Sequence, residues 1–177
     1  MGRDDAAKAM MWVDYHFVFI RTEDEGPTID WILDTARSAV RRYGIRGLVI
    51  DPYNEIEHRR PAGMTETEYV SQLLGKVKRF AASHGVHVWF VAHPAKPELW
   101  NGKQPIPSLY SISGSAHWAN KADCGIVIHR EWDAVAGGFE DRTQVHVRKV
   151  RFQAIGRPGV VVLGYDPITG RYREGAA

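Results

Sequence analysis

Gly47-Leu48-Val49-Ile50-Asp51, continuing into Pro52-Tyr53-Asn54-Glu55, decides the fold class of this chain. Four small or apolar residues run without a break into one acid. A short apolar run of this kind predicts a strand buried on both faces, as in the interior of a parallel sheet. Its aspartate then lies at the carboxyl edge of the sheet, the edge at which open α/β sheets hold their ligands. An acid in that place either caps a turn or offers hard oxygens to a cation such as Mg²⁺.

Working outward, the flanks supply helices. Upstream, Thr28 is placed as an N-cap, Ile29, Ile32, Leu33, Ala36, Val40 and Tyr43 recur at helical spacing, and Gly44 ends the helix. Further back, a short helix is predicted around Asp5–Val13, a short strand at His16–Arg21 and a loop at Glu23–Pro27. Downstream, a polar loop through His58-Arg59-Arg60-Pro61-Ala62-Gly63 leads to Thr65 and Glu68, a capping-box pair. Tyr69, Val70, Leu73, Leu74, Val77, Phe80 and Ala81 form the apolar face of the next helix, which stops at Gly85. Val86–Ala92 is a second largely apolar strand, closed by His93-Pro94. Strands and helices alternating at this pitch predict βαβ units and a parallel sheet with right-handed crossovers.

The remainder changes style. Residues 94–111 read as a long loop with Pro94, Pro97, Pro105, Pro107 and Gly102, and a loop of that length inside a domain is usually functional or mobile. Ser113-Gly114-Ser115 opens a short helical piece through Lys121, and Cys124–His129 reads as a third buried strand. Trp132–Arg142 reads as a loop. Thr143–Val150 alternates, Val160–Leu163 is apolar, and Asp166-Pro167-Ile168-Thr169-Gly170 turns the chain into Arg171-Tyr172-Arg173, so antiparallel strands are expected at this end. No repeat or linker divides the chain, and residues 1–177 are expected to form a single domain.

Composition narrows the class. With 44% hydrophobic and 25% charged residues, the chain has the make-up of an ordinary globular protein. The net charge of +2 does not by itself announce a nucleic-acid binder, but residues 143–177 hold six basic side chains against two acidic ones, an end suited to an anion. One cysteine, Cys124, excludes an internal disulfide and points to a reducing compartment; within its apolar stretch it reads as a small buried hydrophobe. No apolar run approaches the roughly 18–20 residues that span a bilayer, so a cytoplasmic protein without membrane contact is expected.

Four groups of residues have a pattern that bears on chemistry. Asp51 and His93 each follow a core strand, and if those strands are neighbours the two side chains converge at one sheet edge. An acid that holds magnesium through water, with a polar group one strand away, suits a nucleotide-hydrolysing site. Glu55, Glu57 and His58 lie near Asp51, and with His93 they offer a possible divalent-metal set, although Glu55-Ile56-Glu57-His58 matches no tight ligand spacing. Lys149 and Arg151 fall on one face of an alternating strand as a phosphate clamp, or else protect an exposed edge. Lys96, Trp100 and Lys103 share the long loop, where basic groups beside an aromatic ring can grip single-stranded nucleic acid. His84, at a helix end, is explained by the helix dipole alone.

Taken in order, these pieces resemble a known family. The apolar strand to Asp51, the helix, the strand to His93, the basic loop, Ser113-Gly114-Ser115 through Lys121-Ala122-Asp123, and Lys149-Val150-Arg151-Phe152 to Gly156 look like the carboxyl-terminal part of the RecA-fold core of ring-shaped replicative helicases. These are the DnaB-like enzymes, the phage primase-helicases and the Twinkle type, and the likeness covers about residues 16–174. It implies an α/β, RecA-like three-layer partial domain: a mostly parallel sheet with antiparallel strands at the carboxyl-terminal end. By the same resemblance Asp51 is the Walker B acid supporting Mg²⁺ and His93 the γ-phosphate sensor. Lys149 and Arg151 are the basic pair whose arginine acts on the ATP of a neighbouring subunit. Lys96, Lys103, Gly114 and Ser115 are placed on single-stranded DNA. The implied cofactors are ATP and Mg²⁺, and the implied assembly is a hexameric or heptameric ring.

One departure dominates. Gly-x-x-x-x-Gly-Lys-Ser/Thr is absent; Gly75-Lys76-Val77 and Gly102-Lys103-Gln104 are the nearest approaches and stand in the wrong places. Nothing else in the chain replaces the backbone amides and lysine of such a loop. The expectation is therefore a fragment of an ATP-dependent helicase that does not hydrolyse ATP by itself. Two alternatives stand beside it: a non-catalytic single-stranded nucleic-acid-binding module, and a small metal-dependent hydrolase built on Asp51, Glu55, His58 and His93.

Overall fold

A computed structural model describes residues 3–22, 26–95, 105–112, 116–133, 135 and 137–174. These fall into two compact units, one made of residues 1–59 and 79–90, the other of 60–78 and 91–177.

The first unit holds helices α1 (Arg3–His16) and α2 (Ile29–Tyr43), strands β1 (Gly47–Ile50) and β2 (His87–Phe90), and the end of helix α3 (Glu66–His84). Helix α2 begins and ends where its caps dictate. Thr28 Oγ1 accepts from Trp31 N–H, and Gly44 takes a left-handed φ of 65°, donating its N–H to Val40 O. Its buried stripe of Ile29, Ile32, Leu33, Ala36 and Ala39 is the sequence periodicity realised. Strands β1 and β2 pair in parallel, Gly47 with His87 through Ile50 with Phe90. Leu48, Ile50, Tyr53, Ile56, Phe80 and Val86 are buried in the same unit.

Two expectations fail in this unit. Strand β1 is buried on one face only: Val49 and its register partner Trp89 are 62% and 52% exposed. No element among the described residues covers that face, so the unbroken apolar run marks a strand built for two covered faces of which one is filled here. Residues His16–Arg21 are no strand. Helix α1 runs on to His16, where the ring stacks on Trp12 and Nδ1 lies 2.7 Å from Trp12 O, and residues 17–22 are irregular. Phe17, Val18 and Phe19 have β-forming side chains but no neighbouring strand to pair with among the described residues, and all three are exposed.

The second unit holds α3 up to Lys78, a short helix α4 (His117–Lys121), and β3 (Cys124–Asp133), β4 (Gly138–Val150), β5 (Gly159–Asp166) and β6 (Arg171–Glu174). The four strands form an antiparallel sheet in chain order. The start of α3 is the expected capping box: Thr65 N–H and Oγ1 donate to Glu68 Oε2 at 2.9 and 2.8 Å, and Glu68 N–H returns a bond to Thr65 Oγ1. Val70, Leu73, Val77, Trp118 and Ala119 are buried.

The antiparallel part begins earlier than the sequence suggested. Cys124–His129 is the first half of a ten-residue strand that continues through Trp132, and most of the expected loop at Trp132–Arg142 is the hairpin joining it to β4. Trp132 and Phe139 face each other across that hairpin with ring centroids 5.1 Å apart, an aromatic pair that holds the register. Burial alternates along β3 in place of being continuous, and Cys124 is exposed. At the far end, Asp166 accepts from Ile168 N–H and Thr169 Oγ1, and Gly170 at φ 66° closes the β5–β6 hairpin as expected.

Candidate nucleotide-site residues and family

Asp51 is the first residue beyond β1, exposed, at the carboxyl end of a parallel pair. The turn after it is anchored by Tyr53, a buried ring that packs against Phe90 with centroids 6.0 Å apart and against His58 at 4.4 Å. His58 rests on the Tyr53 ring, and Glu57 accepts from Arg59 Nε at 3.0 Å. Among the described residues no three His, Cys, Asp or Glu side chains come together as a metal-binding group. The Asp51, Glu55, His58 and His93 set of a small metal hydrolase is not among such groups.

His93 belongs to the second unit, three residues past the end of β2 and exposed, beside the isolated bridge between Pro94 and Ile112. Lys96, Trp100, Lys103, Gly114 and Ser115 lie outside the described residues. His84 stacks on Phe80, with Nδ1 3.1 Å from the Phe80 carbonyl, which bears out its helix-end role.

Lys149 and Arg151 are brought together, and their partners come from one place. Lys149 Nζ donates to Ala119 O at 2.6 Å and Asn120 O at 3.2 Å. Arg151 Nη2 donates to Asn120 O at 2.7 Å, and Arg151 Nε is 2.8 Å from Asp123 Oδ1. Cations at the carbonyl end of a helix are favoured by its dipole and satisfy its last acceptors. Burial holds the Lys149 ammonium below the ordinary lysine range; Arg151 adds to this and Asp123 opposes it. Two further cations lie close by: Lys121, from the Lys121-Ala122-Asp123 run, donates to Ser71 O at 2.6 Å, and Lys78, not singled out in the sequence, reaches Asp123 Oδ1 at 2.7 Å. A lysine on an exposed helix face leaves no spacing signature. A third cation, Arg130, donates through Nε and Nη2 to Glu140 O and lies over the Phe139 and Tyr165 rings at 5.7 and 5.4 Å.

No family model matches the sequence. Over 175 residues, 98% of its length, the chain is 51% identical to the "Twinkle homolog protein, chloroplastic/mitochondrial" of Arabidopsis thaliana. It superposes on a solved ATPase domain with a TM-score of 0.74 over 98% of its length, at 21% identity and over 61% of that chain. A DnaB-like replicative helicase, solved together with its interactions with primase, gives a TM-score of 0.73 over 97% of this chain and 42% of that one, at 19% identity. The chain is thus similar in sequence to a Twinkle homolog and in fold to helicase ATPase domains. It spans about a quarter (24%) of the length of the Arabidopsis relative. The parallel β1–β2 pair and the antiparallel β3–β6 sheet are the chain's share of a RecA-like fold. Among the described residues no helix is long and apolar enough to cross a membrane.

Proposed function

We propose that this chain is the carboxyl-terminal part of the ATPase core of a replicative DNA helicase, a single functional piece that translocates on single-stranded DNA when the core is whole. The observation that carries this is an exposed Asp51 at the carboxyl end of a parallel strand pair, in a chain that matches a Twinkle homolog over 98% of its length. A carboxylate there fits a hard cation held through water. Asp51 would support Mg²⁺, whose charge offsets that of the ATP phosphates. His93, three residues past the end of β2, would be the group that senses the terminal phosphate. Arg151 would serve as the finger on the nucleotide of a neighbouring subunit, with Lys149 fixing the carbonyl end of α4 beside it, as in a hexameric or heptameric ring. Lys96, Lys103, Gly114 and Ser115 would face the DNA strand.

Without a Gly-Lys-Ser or Gly-Lys-Thr loop among its 177 residues, the chain alone lacks a cradle for the β- and γ-phosphates. Alone, it is then a single-strand-binding module. The single cysteine supports a reducing compartment. The cytosol is one such place; the name of the Arabidopsis relative places that protein in chloroplasts and mitochondria.

Anisotropy of a labelled oligo-dT with the purified chain, run alongside an Mg²⁺-ATP turnover assay, tests this. Salt-weakened binding that Lys96→Ala with Lys103→Ala reduces, and turnover at background, are expected. Robust Mg²⁺-dependent turnover abolished by Asp51→Ala, or oligonucleotide binding indifferent to salt and to both lysines, would overturn it.

A further inference from the structure

Among the described residues Asp123 is the one acid within a group of cations at the end of α4. Its Oδ1 is 2.8 Å from Arg151 Nε and 2.7 Å from Lys78 Nζ, and its backbone oxygen accepts from Arg151 N–H at 2.8 Å. Arg151 Nη2 is occupied as well, donating to Asn120 O at 2.7 Å with longer contacts to Ala122 O at 3.3 Å and Lys121 O at 3.5 Å. A guanidinium carries five N–H donors in a rigid planar fork. Here the edge made by Nε and Nη2 is taken up by Asp123 and the last carbonyls of α4. Among the described residues Nη1 has no partner, and 37% of the side chain remains exposed. Lys149 differs: its Nζ is committed to Ala119 O and Asn120 O, holding in place the carbonyl end that grips Arg151.

An arginine free to rotate loses that freedom when it binds, whereas one already fixed along an edge does not. We propose that Asp123 is a positioning residue. It holds Arg151 by the Nε edge against the carbonyl end of α4, so that Nη1 is presented to an anionic phosphate oxygen. Lys78 shares the same carboxylate oxygen and ties this clamp to α3. The inference rests on Arg151 being a phosphate ligand, as set out above.

Charge and position pull in opposite directions here, which makes the test decisive. Removing the negative charge of Asp123 strengthens anion binding if Asp123 is only a counter-charge, and weakens it if Asp123 positions Arg151. The experiment is a pyrophosphate titration of the full chain, followed through ¹⁵N arginine side-chain signals, for the wild type, Asp123→Asn, Asp123→Glu and Arg151→Gln. In the wild type the Arg151 Nε–H signal is protected from exchange and the Nη resonances move with pyrophosphate. In Asp123→Asn the protected signal is lost and affinity falls about three- to tenfold, the penalty of ordering one free arginine.

Unchanged or tighter pyrophosphate binding by Asp123→Asn overturns the proposal. Should Asp123→Asn fail to fold, Asp123→Glu keeps the charge while moving the carboxylate. A lost Nε–H signal with unchanged affinity in Asp123→Glu overturns the proposal; paired loss or paired retention of signal and affinity supports it. If Arg151→Gln binds pyrophosphate like the wild type, or the wild type shows no shift at Arg151, the phosphate role of Arg151 itself falls, an outcome separate from that of Asp123.

Discussion

His146 shows how one side chain ties the sheet to pH. It is buried on β4, and its Nε2 lies 2.9 Å from Gln144 Oε1, while Gln144 Nε2 donates to Glu131 Oε1 at 3.3 Å. Because the Gln144 oxygen can only accept, Nε2 carries the proton and Nδ1 is the bare nitrogen. Among the described residues Nδ1 is buried with no partner. Protonating it would place a charge and an unmatched N–H in the interior. Burial accordingly lowers the His146 pKa below 6.5, and the charges of Arg148 and His129 add to the effect. In the folded state the neutral ring is favoured, so the unfolded chain takes up the proton first as pH falls. The stability His146 contributes is complete above about pH 6.5 and is lost as pH drops from there through its folded value. Urea midpoints at pH 8 and pH 5.5 should differ more for the wild type than for His146→Gln; equal differences would contradict this. At this scale the place of a side chain that follows a strand was legible, as with Asp51, and so was the closeness of Lys149 and Arg151, although Arg151 lies just past the end of β4 and not on it. Lys78 was not legible, because the acid it meets lies 45 residues away.

Among the elements, those fixed by local chemistry were the ones the sequence showed. Thr28, Gly44, Gly85 and the Thr65–Glu68 box each set a helix end through its own bonds or a positive φ. Strand partners are a different matter, since pairing depends on what lies alongside. Phe17–Phe19 has strand composition without a strand beside it, and Trp132–Arg142 looked like a loop because Gly137-Gly138 obscured a long hairpin. Gly125 on β3 carries a packing demand of this non-local kind. A Cβ there would overlap both methyl groups of Leu109, whose short 3₁₀ turn precedes α4. Gly125→Ala obliges the half-buried Leu109 side chain to shift and should lower stability by about 1 kcal/mol, the low end of overpacking, measured as a shift in urea midpoint. A midpoint within error of the wild type would mean that the turn yields without resistance.

For the whole molecule, the family and the RecA-like class could be read from the order of motifs, because order survives where individual motifs are weak. Half-covered β1 could not, since an apolar run reports what a strand was shaped to meet and not what it meets in this chain. The exposed Val49 and Trp89 and the lack of a phosphate loop among these 177 residues both fit the proposal that the chain is one part of a larger core. The central claim is that the chain supplies Asp51 and Arg151 to an ATP site it does not complete alone. Its most direct test is ATP hydrolysis by the Arabidopsis relative carrying this chain in place of the stretch it matches at 51% identity. The graft is expected to hydrolyse ATP with Mg²⁺, and Arg151→Gln within it to lower turnover by about a thousandfold, the scale of an arginine finger, with Asp51→Asn comparably damaging. A graft whose turnover is indifferent to both substitutions would contradict the account.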